Sequence, residues 1–285
     1  MIPISIVIPT KNEELAIQPL LKTLVGCFSE VFVVDSLSID RTAELSRAAG
    51  ATVVDYDWDK KYPKKKQWCL DKLPLETDWV LFVDADESLP PSLIQELANL
   101  CESGSIDECD AYDITLDYMW QGKLLRHGQS VVKRALLQRT RCHFPVVDDL
   151  AAPGMGEQEG HYQPVADRVG TLQARIRHDD PDPLADWFSR HNRYSDWEAY
   201  LRSRPEVRND VRRLRSRQGQ IFERMPMKSL VILLYNLLLK QGWRDGRAGL
   251  EYAVALAFYQ WQIGVKTNER IRRDDAFKLS AGRQR

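Results

Sequence analysis

The chain has 285 residues, of which 44% are hydrophobic and 28% charged, with a formal net charge of −1. That composition excludes a disordered chain, a collagen-like repeat and a disulfide scaffold, and the length suits about two domains. The near-neutral balance hides an asymmetry: residues 191–285 carry 20 basic and 10 acidic groups, leaving 20 basic and 31 acidic in residues 1–190.

In chain order, Ile2–Pro9 is an Ile/Val-rich run of the kind buried on both faces of a sheet, followed by the polar turn Thr10-Lys11-Asn12-Glu13-Glu14. A helix to about Val25 places Leu20, Leu21 and Leu24 on one side. A second strand, Val31–Val34, ends at Asp35. The stretch Ser38–Thr42 opens a helix over 43–49, closed by Gly50. A third strand (51–56), a third helix (64–73) and a fourth strand (79–83) follow. The last strand runs into Asp84-Ala85-Asp86-Glu87, and Pro90-Pro91 starts another helix. Strands alternating with helices of this length predict a doubly wound, mostly parallel α/β sheet, whose ligand sits beyond the carboxyl ends of the strands. Asn12 and Glu13, Asp35, Asp57 and Asp59, and Asp84 and Asp86 all fall at such ends. Carboxylates gathered there repel a bare phosphate but complement a diphosphate once a divalent cation lies between. Neither G-x-G-x-x-G after the first strand nor G-x-x-x-x-G-K-[ST] is present, which argues against a dinucleotide oxidoreductase or a P-loop NTPase.

Three stretches are jointly specific: Ile6-Val7-Ile8-Pro9-Thr10-Lys11-Asn12-Glu13-Glu14, Val33-Val34-Asp35-Ser36 with Asp40-Arg41-Thr42, and Phe82-Val83-Asp84-Ala85-Asp86-Glu87. In these the chain resembles the family 2 glycosyltransferases, which have the GT-A fold. Within them it is similar to bacterial lipopolysaccharide-core and polysaccharide glucosyltransferases, a likeness extended by Arg126-His127-Gly128, Glu159-Gly160-His161-Tyr162-Gln163-Pro164, Arg190–Ser195 and Gly242–Gly246. The resemblance implies that Pro9, Thr10 and Glu13 line the nucleotide-base pocket and Asp35 binds the base edge. It also implies that Asp84, with Ala85 beside it, meets the nucleotide or the metal, and that Asp86 holds Mg²⁺ or Mn²⁺ on the diphosphate. Lys66 falls where the family often has a basic residue near the nucleotide; the bland alternative is one of three solvated lysines. The chain departs from the family pattern after Asp35, with Leu37 and Ile39 where Gly and Thr are common. No Q-x-x-R-W stretch is present, so a single transfer is expected rather than polymerisation.

An inverting transferase needs a carboxylate to take the proton of the acceptor hydroxyl. In Gly154-Met155-Gly156-Glu157-Gln158-Glu159-Gly160, Glu159 is the first candidate and Glu157 the second, in a glycine-rich loop expected to be mobile. Asp148-Asp149 is a weaker candidate. The strand-like run Thr171–Arg177 leads to His178, a candidate third metal ligand.

The tail divides the chain into residues 1–183, the expected GT-A catalytic domain, and 184–285, a basic helical segment. Seven arginines lie between 202 and 217, and two uncharged stretches, Ser229–Leu239 and Tyr252–Val265, are each too short to span a bilayer. Short apolar helices in a basic frame suggest association with an anionic membrane surface; the alternative is a soluble bundle or a contact between copies in a homo-oligomer. No nucleic-acid-binding motif accompanies the arginines. Five cysteines without C-x-x-C spacing fit free thiols in a reducing compartment. The N-terminus shows no secretory signal pattern. The expectation is a metal-dependent, inverting, non-processive transfer of one sugar from a nucleotide-sugar, UDP- favoured and GDP- possible. The expected acceptor is a saccharide, lipid-linked, at the cytoplasmic face of a bacterial inner membrane, in surface polysaccharide or lipopolysaccharide biosynthesis. The alternatives are a nucleotidyltransferase on the same sheet and a non-catalytic membrane adaptor.

Overall fold

A computed structural model describes residues 1–128, 130–160, 162–214 and 217–282. The first half alternates as the sequence suggests: β1 (Ile2–Thr10), α1 (Ile17–Leu24), β2 (Phe28–Asp35), α2 (Thr42–Ala48), β3 (Thr52–Asp55), α3 (Lys65–Lys72) and β4 (Trp79–Phe82). These four strands are parallel, in the order β3-β2-β1-β4. Then come β5 (Glu87–Ser88), α4 (Pro91–Glu102), β6 (Ala111–Trp120), β7 (Lys123–Leu124), β8 (Val132–Gln138), β9 (Val169–Thr171) and β10 (Ile176–His178). The sheet continues past β4 as β8-β6-β10-β5, and here it is mixed. Strand β8 is antiparallel to both β4 and β6, and β10 is parallel to β6 but antiparallel to β5.

The mostly parallel sheet expected from the sequence is therefore parallel only on one side. Beyond β4 the links between β6, β7 and β8 are too short for a helical crossover, so the strands return antiparallel. The single strand expected over 171–177 is likewise two short strands, separated at Leu172–Arg175.

Strand β1 is buried on both faces, and its alternate residues serve two cores. Ile4, Ile6 and Ile8 pack with Leu20, Leu21 and Leu24 of α1 and Leu93 and Leu97 of α4. Val7 faces the other way, toward Phe32, Phe82, Cys69 and Leu70. All five cysteines are free.

The C-terminal part is α5 (Leu184–Ser203), α6 (Pro205–Leu214), α7 (Arg217–Arg224), α8 (Lys228–Leu234), a π-helical turn (Tyr235–Leu239) and the long α9 (Gly246–Gly282). A third core joins Trp197, Tyr200 and Leu201 of α5 and Val207 and Val211 of α6 to Val147, Met155 and Tyr162 of the preceding loop. A fourth joins Trp187 of α5 and Tyr252 of α9 to Trp120 of β6. Among the described residues no helix is long and apolar enough to cross a membrane.

The turn after β2 shows what the departure from the family pattern costs. Leu37 has φ +53, the left-handed region that glycine enters without a Cβ penalty. Its side chain and that of Ile39 are exposed, so neither is retained by packing. Leu37→Gly is expected to stabilise the protein by up to about 1 kcal/mol, read from urea unfolding midpoints. A loss of stability would mean that the turn is held by contacts of the leucine side chain.

Candidate functional site

The site lies where β1, β2, β4 and β10 end. Asp84-Ala85-Asp86-Glu87 follows β4 as a tight turn in which Glu87 N–H donates to the Asp84 carbonyl (3.0 Å) and Asp84 N–H donates to Glu87 Oε2 (2.8 Å). Ala85 turns its methyl into the first core, which leaves the two flanking aspartates on the open side. Strand β10 then lies against this turn: His178 pairs with Glu87, and Asp179 N–H donates to the Asp86 carbonyl (2.9 Å). The pairing brings His178 Nδ1 to 3.4 Å from Asp86 Oδ1. That nitrogen is buried and has no hydrogen-bond partner of good geometry. Burial works against charge on the imidazole, but Asp86, Glu87 and Asp84 outweigh it and push His178 up to about 9. Its ring stacks on Tyr118 at 4.7 Å, and Tyr118 stacks on Tyr252 of α9 at 5.0 Å. The C-terminal helices thus buttress the ring beside Asp86.

Asp84 is neutralised from two sides. Lys133 Nζ on β8 lies 2.7 Å from Asp84 Oδ2 and 2.7 Å from Glu87 Oε2, and Lys66 Nζ lies 3.5 Å from Asp84 Oδ1. Lys66 is thus beside the Asp84–Asp86 turn rather than a solvated neighbour of Lys64 and Lys65. Burial opposes the charge on Asp84, yet the two ammonium groups hold its carboxyl well below the usual range. Sequence reasoning missed Lys133; its only signal was a cation inside the apolar strand Val132–Gln138.

Asp35, at the end of β2, is buried and accepts from Thr10 Oγ1 (2.9 Å), Ser38 Oγ (2.6 Å) and Ser38 N–H (2.7 Å). Pro9 and Thr10 pair with Val34 and Asp35 across β1–β2, so these positions do meet in space. Glu13 is half-buried near a group of carboxylates. Burial and the charges of Asp86, Asp182 and Asp180, against Arg190, push it up to about 8. Arg190 bridges Asp180 and Asp182, the latter at 2.6 Å, an arrangement the sequence did not single out.

The loop expected to be mobile is clamped between α3 and α5. Glu157 O accepts from Lys65 N–H (3.0 Å), and its carboxylate is bound by Ser36 Oγ and lies 3.5 Å from Lys65 Nζ. Gln158 O accepts from Lys64 Nζ (3.1 Å). Glu159 Oε1 accepts from Gln67 N–H (3.0 Å) and so caps the first turn of α3, while Oε2 is buried without a partner. Burial raises the Glu159 carboxyl above its ordinary value. On the α5 side, a Cβ at Gly154 would stand 2.0 Å from the Arg193 carbonyl, and one at Gly160 would stand 2.2 Å from the Trp197 ring. Gly154 and Gly160 thus permit close approach to α5. Asp149, weighed as a base, is committed elsewhere: it is 2% exposed and binds Lys64 Nζ (2.9 Å), Trp197 Nε1 (2.8 Å) and Tyr62 OH (2.6 Å). His161 and Arg215, which belong to stretches singled out in the sequence, lie outside the described residues.

Among the described residues no group of three or more His, Cys, Asp or Glu side chains converges as a ready cation site. Asp86 and His178 nevertheless form a two-donor half-site, in which a divalent ion would take the place of the imidazolium proton that faces Asp86 at 3.4 Å. A diphosphate would supply further oxygens, so the residues fit Mn²⁺ or Mg²⁺.

The sequence profile described as "Glycosyl transferase family 2" matches residues 5–147, half of the chain, which contain β1–β4 and the Asp84–Asp86 turn. The chain belongs to this family. An uncharacterized glycosyltransferase of Rickettsia typhi is 34% identical over 122 residues, 42% of this chain and 40% of that protein. The undecaprenyl-phosphate 4-deoxy-4-formamido-L-arabinose transferase of Edwardsiella ictaluri is 31% identical over 149 residues, 48% of this chain and 44% of that protein. The chain thus spans less than half the length of these relatives. Among solved structures, a mannosyltransferase of Pyrobaculum calidifontis in complex with GDP-Man and Mn²⁺ aligns with a TM-score of 0.51. The alignment covers 93% of this chain and 86% of that one at 15% identity, a likeness of fold alone.

Proposed function

We propose that this family 2 glycosyltransferase moves one sugar, with inversion, from a nucleotide-sugar to a saccharide acceptor, and that the acceptor is lipid-linked. The observation that carries the reading is the Asp84–Asp86 turn at the end of β4 with His178 delivered to 3.4 Å from Asp86. Asp86 and His178 would hold Mg²⁺ or Mn²⁺, which when bound offsets charge on the departing diphosphate. Pro9, Thr10, Glu13 and Asp35 would line the nucleotide end, with Lys66 and Asp84 beside the ribose and diphosphate. Glu159 would take the acceptor proton. It is preferred over Glu157 because Glu157 is already bound by Ser36 and Lys65, whereas Glu159 keeps one buried, partnerless oxygen whose basicity burial raises. The Edwardsiella relative's name, with its undecaprenyl-phosphate, supports a lipid-phosphate acceptor in bacterial surface polysaccharide or lipopolysaccharide assembly. A UDP-sugar is the favoured donor and a GDP-sugar the second.

Purified protein should be stabilised against heating by one class of nucleotide-sugar, and more so with Mn²⁺, because a ligand of the native state raises Tm by mass action. No shift with any UDP-, GDP- or CDP-sugar would remove the donor site from this reading.

The tail supports a location at a membrane surface. Leu250, Val254, Phe258, Trp261 and Val265 recur at steps of three and four along α9, and all are exposed. Leu230, Leu234, Leu238 and Leu239 are exposed on α8 and the turn after it. Trp243, 61% exposed, sits at the hairpin among the exposed Lys240, Arg244 and Arg247. Apolar rows framed by cations fit the interface of an anionic bilayer at the cytoplasmic face, peripherally bound. Part of the arginine run is not free for this, since Arg202, Arg208 and Lys228 converge on the buried Glu223. The protein should sediment with phosphatidylglycerol vesicles and not with phosphatidylcholine vesicles. Trp243→Asp with Trp261→Asp should weaken that binding by about tenfold or more. A wild-type protein that ignores both vesicles and dimerises through α9 would assign this face to a second copy.

A further inference from the structure

Lys133 has no role in the reading above, yet it is the most tightly engaged cation of the site. Its side chain is 15% exposed, and its ammonium sits 2.7 Å from one oxygen each of Asp84 and Glu87. Glu87 is buried, accepts the Asp84 N–H through the same Oε2, and leaves Oε1 without a partner. Lys66 stands on the other oxygen of Asp84 at 3.5 Å. The first aspartate of the turn is therefore saturated with positive charge, while the second, Asp86, faces only His178 among the ion pairs formed there. A dication approaching the free protein meets one carboxylate donor, Asp86, and gains His178 only by displacing the proton that the imidazole shares with that pair. To recruit Asp84 it must displace an ammonium that lies in the turn itself.

Resting on the donor-site reading, we propose that Lys133 is an internal counter-ion that occupies Asp84 and keeps the divalent-ion site incomplete until a nucleoside diphosphate arrives. The physical sense is charge balance. Without nucleotide, Lys133 and Lys66 together balance the charges of Asp84 and Glu87, which weakens the attraction there for a second cation. A diphosphate brings new negative charge and additional oxygen donors, and only then does a dication gain enough partners to stay. Metal and donor then bind as a pair. The same device stops two neighbouring carboxylates, Asp84 and Glu87, from repelling each other in a poorly solvated turn when the site holds no ligand.

The test measures Mn²⁺ binding to the whole protein by the loss of the free-ion electron paramagnetic resonance signal, with and without UDP, so that turnover is not the readout. Wild type should bind Mn²⁺ weakly alone and markedly tighter with UDP. Lys133→Met should bind Mn²⁺ without nucleotide about tenfold or more tighter than wild type, because one positive charge beside the ion is gone and Asp84 is released. Lys133→Arg should restore the dependence on nucleotide. Adding Asp84→Asn to Lys133→Met should abolish the gain. Should Lys133→Met not fold, Asp84→Asn alone decides, since it keeps the Lys133–Glu87 pair. Nucleotide-free Mn²⁺ affinity should stay within about twofold of wild type, and a fall of about tenfold would show that Asp84 already binds the ion. Tight Mn²⁺ binding by nucleotide-free wild type, or no gain in Lys133→Met, overturns the counter-ion role and leaves the donor site standing. Failure of wild type to bind UDP with or without Mn²⁺ removes the donor site itself.

Discussion

Asp86→Ala is expected to lower sugar transfer by about 10³-fold or more while the protein remains folded. Loss of charge compensation at a departing diphosphate is worth several kcal/mol, and about 4 kcal/mol corresponds to three orders of magnitude in rate. Asp86 is suited to this experiment because its carboxylate supports little else. Its side chain is partly exposed, and the ion pair it makes is the 3.4 Å approach to His178, while the turn is closed by the backbone of Asp84, Asp86, Glu87 and Asp179. Thermal melting should therefore stay close to wild type, and assays with the donor that gave the largest thermal shift should show the loss. Near-normal turnover in Asp86→Ala would sink the assignment of this turn to the donor. His178→Ala is a less clean probe, because the ring also stacks on Tyr118, so its removal disturbs packing that reaches α9.

Asp149→Ala is expected to be the most destabilising of the substitutions considered, by about 3–5 kcal/mol, read from urea unfolding. The substitution leaves the ammonium of Lys64, a residue 2% exposed, with one backbone carbonyl for a partner, and it removes the Asp149 acceptor from Trp197 Nε1 and one of the two acceptors of Tyr62 OH, which keeps the Val147 carbonyl. An uncompensated buried charge is costly, whereas removing both ions together is not. Lys64→Met combined with Asp149→Leu should therefore recover most of the loss. A mild effect of Asp149→Ala would mean that water reaches Lys64 and that the loop over 145–160 is less firmly packed than its contacts with α3 and α5 indicate. Since Glu157 and Glu159 ride on that loop, the pair also sets how rigidly they are presented.

The first hundred residues were readable because their information is local. Alternating apolar runs and turn residues fix strands and helices, and a parallel βα order places the end of every strand on the same edge. Glu13, Asp35, Asp84 and Asp86 could be brought to one edge on that argument alone. What followed was harder. The mixed half of the sheet depends on pairings between β4, β8, β6 and β10, which lie up to about a hundred residues apart in sequence. Nothing in the local pattern of Val132–Gln138 says which aspartate Lys133 will meet. Glycines around Glu157 read as flexibility, although Gly154 and Gly160 are there because Arg193 and Trp197 come too close for a side chain.

Contiguous residues carry the family, the parallel βα frame, the position of the Asp84-Ala85-Asp86 turn and the apolar, cation-framed character of the tail. Long-range packing brings His178 beside Asp86, Lys66 and Lys133 onto Asp84, Glu159 onto the first turn of α3 and Asp149 inside the fold. Those choices are made by charges seeking partners as water is withdrawn. In a poorly solvated site a carboxylate or an ammonium must be paired, and the partner is whichever residue the long-range strand order delivers.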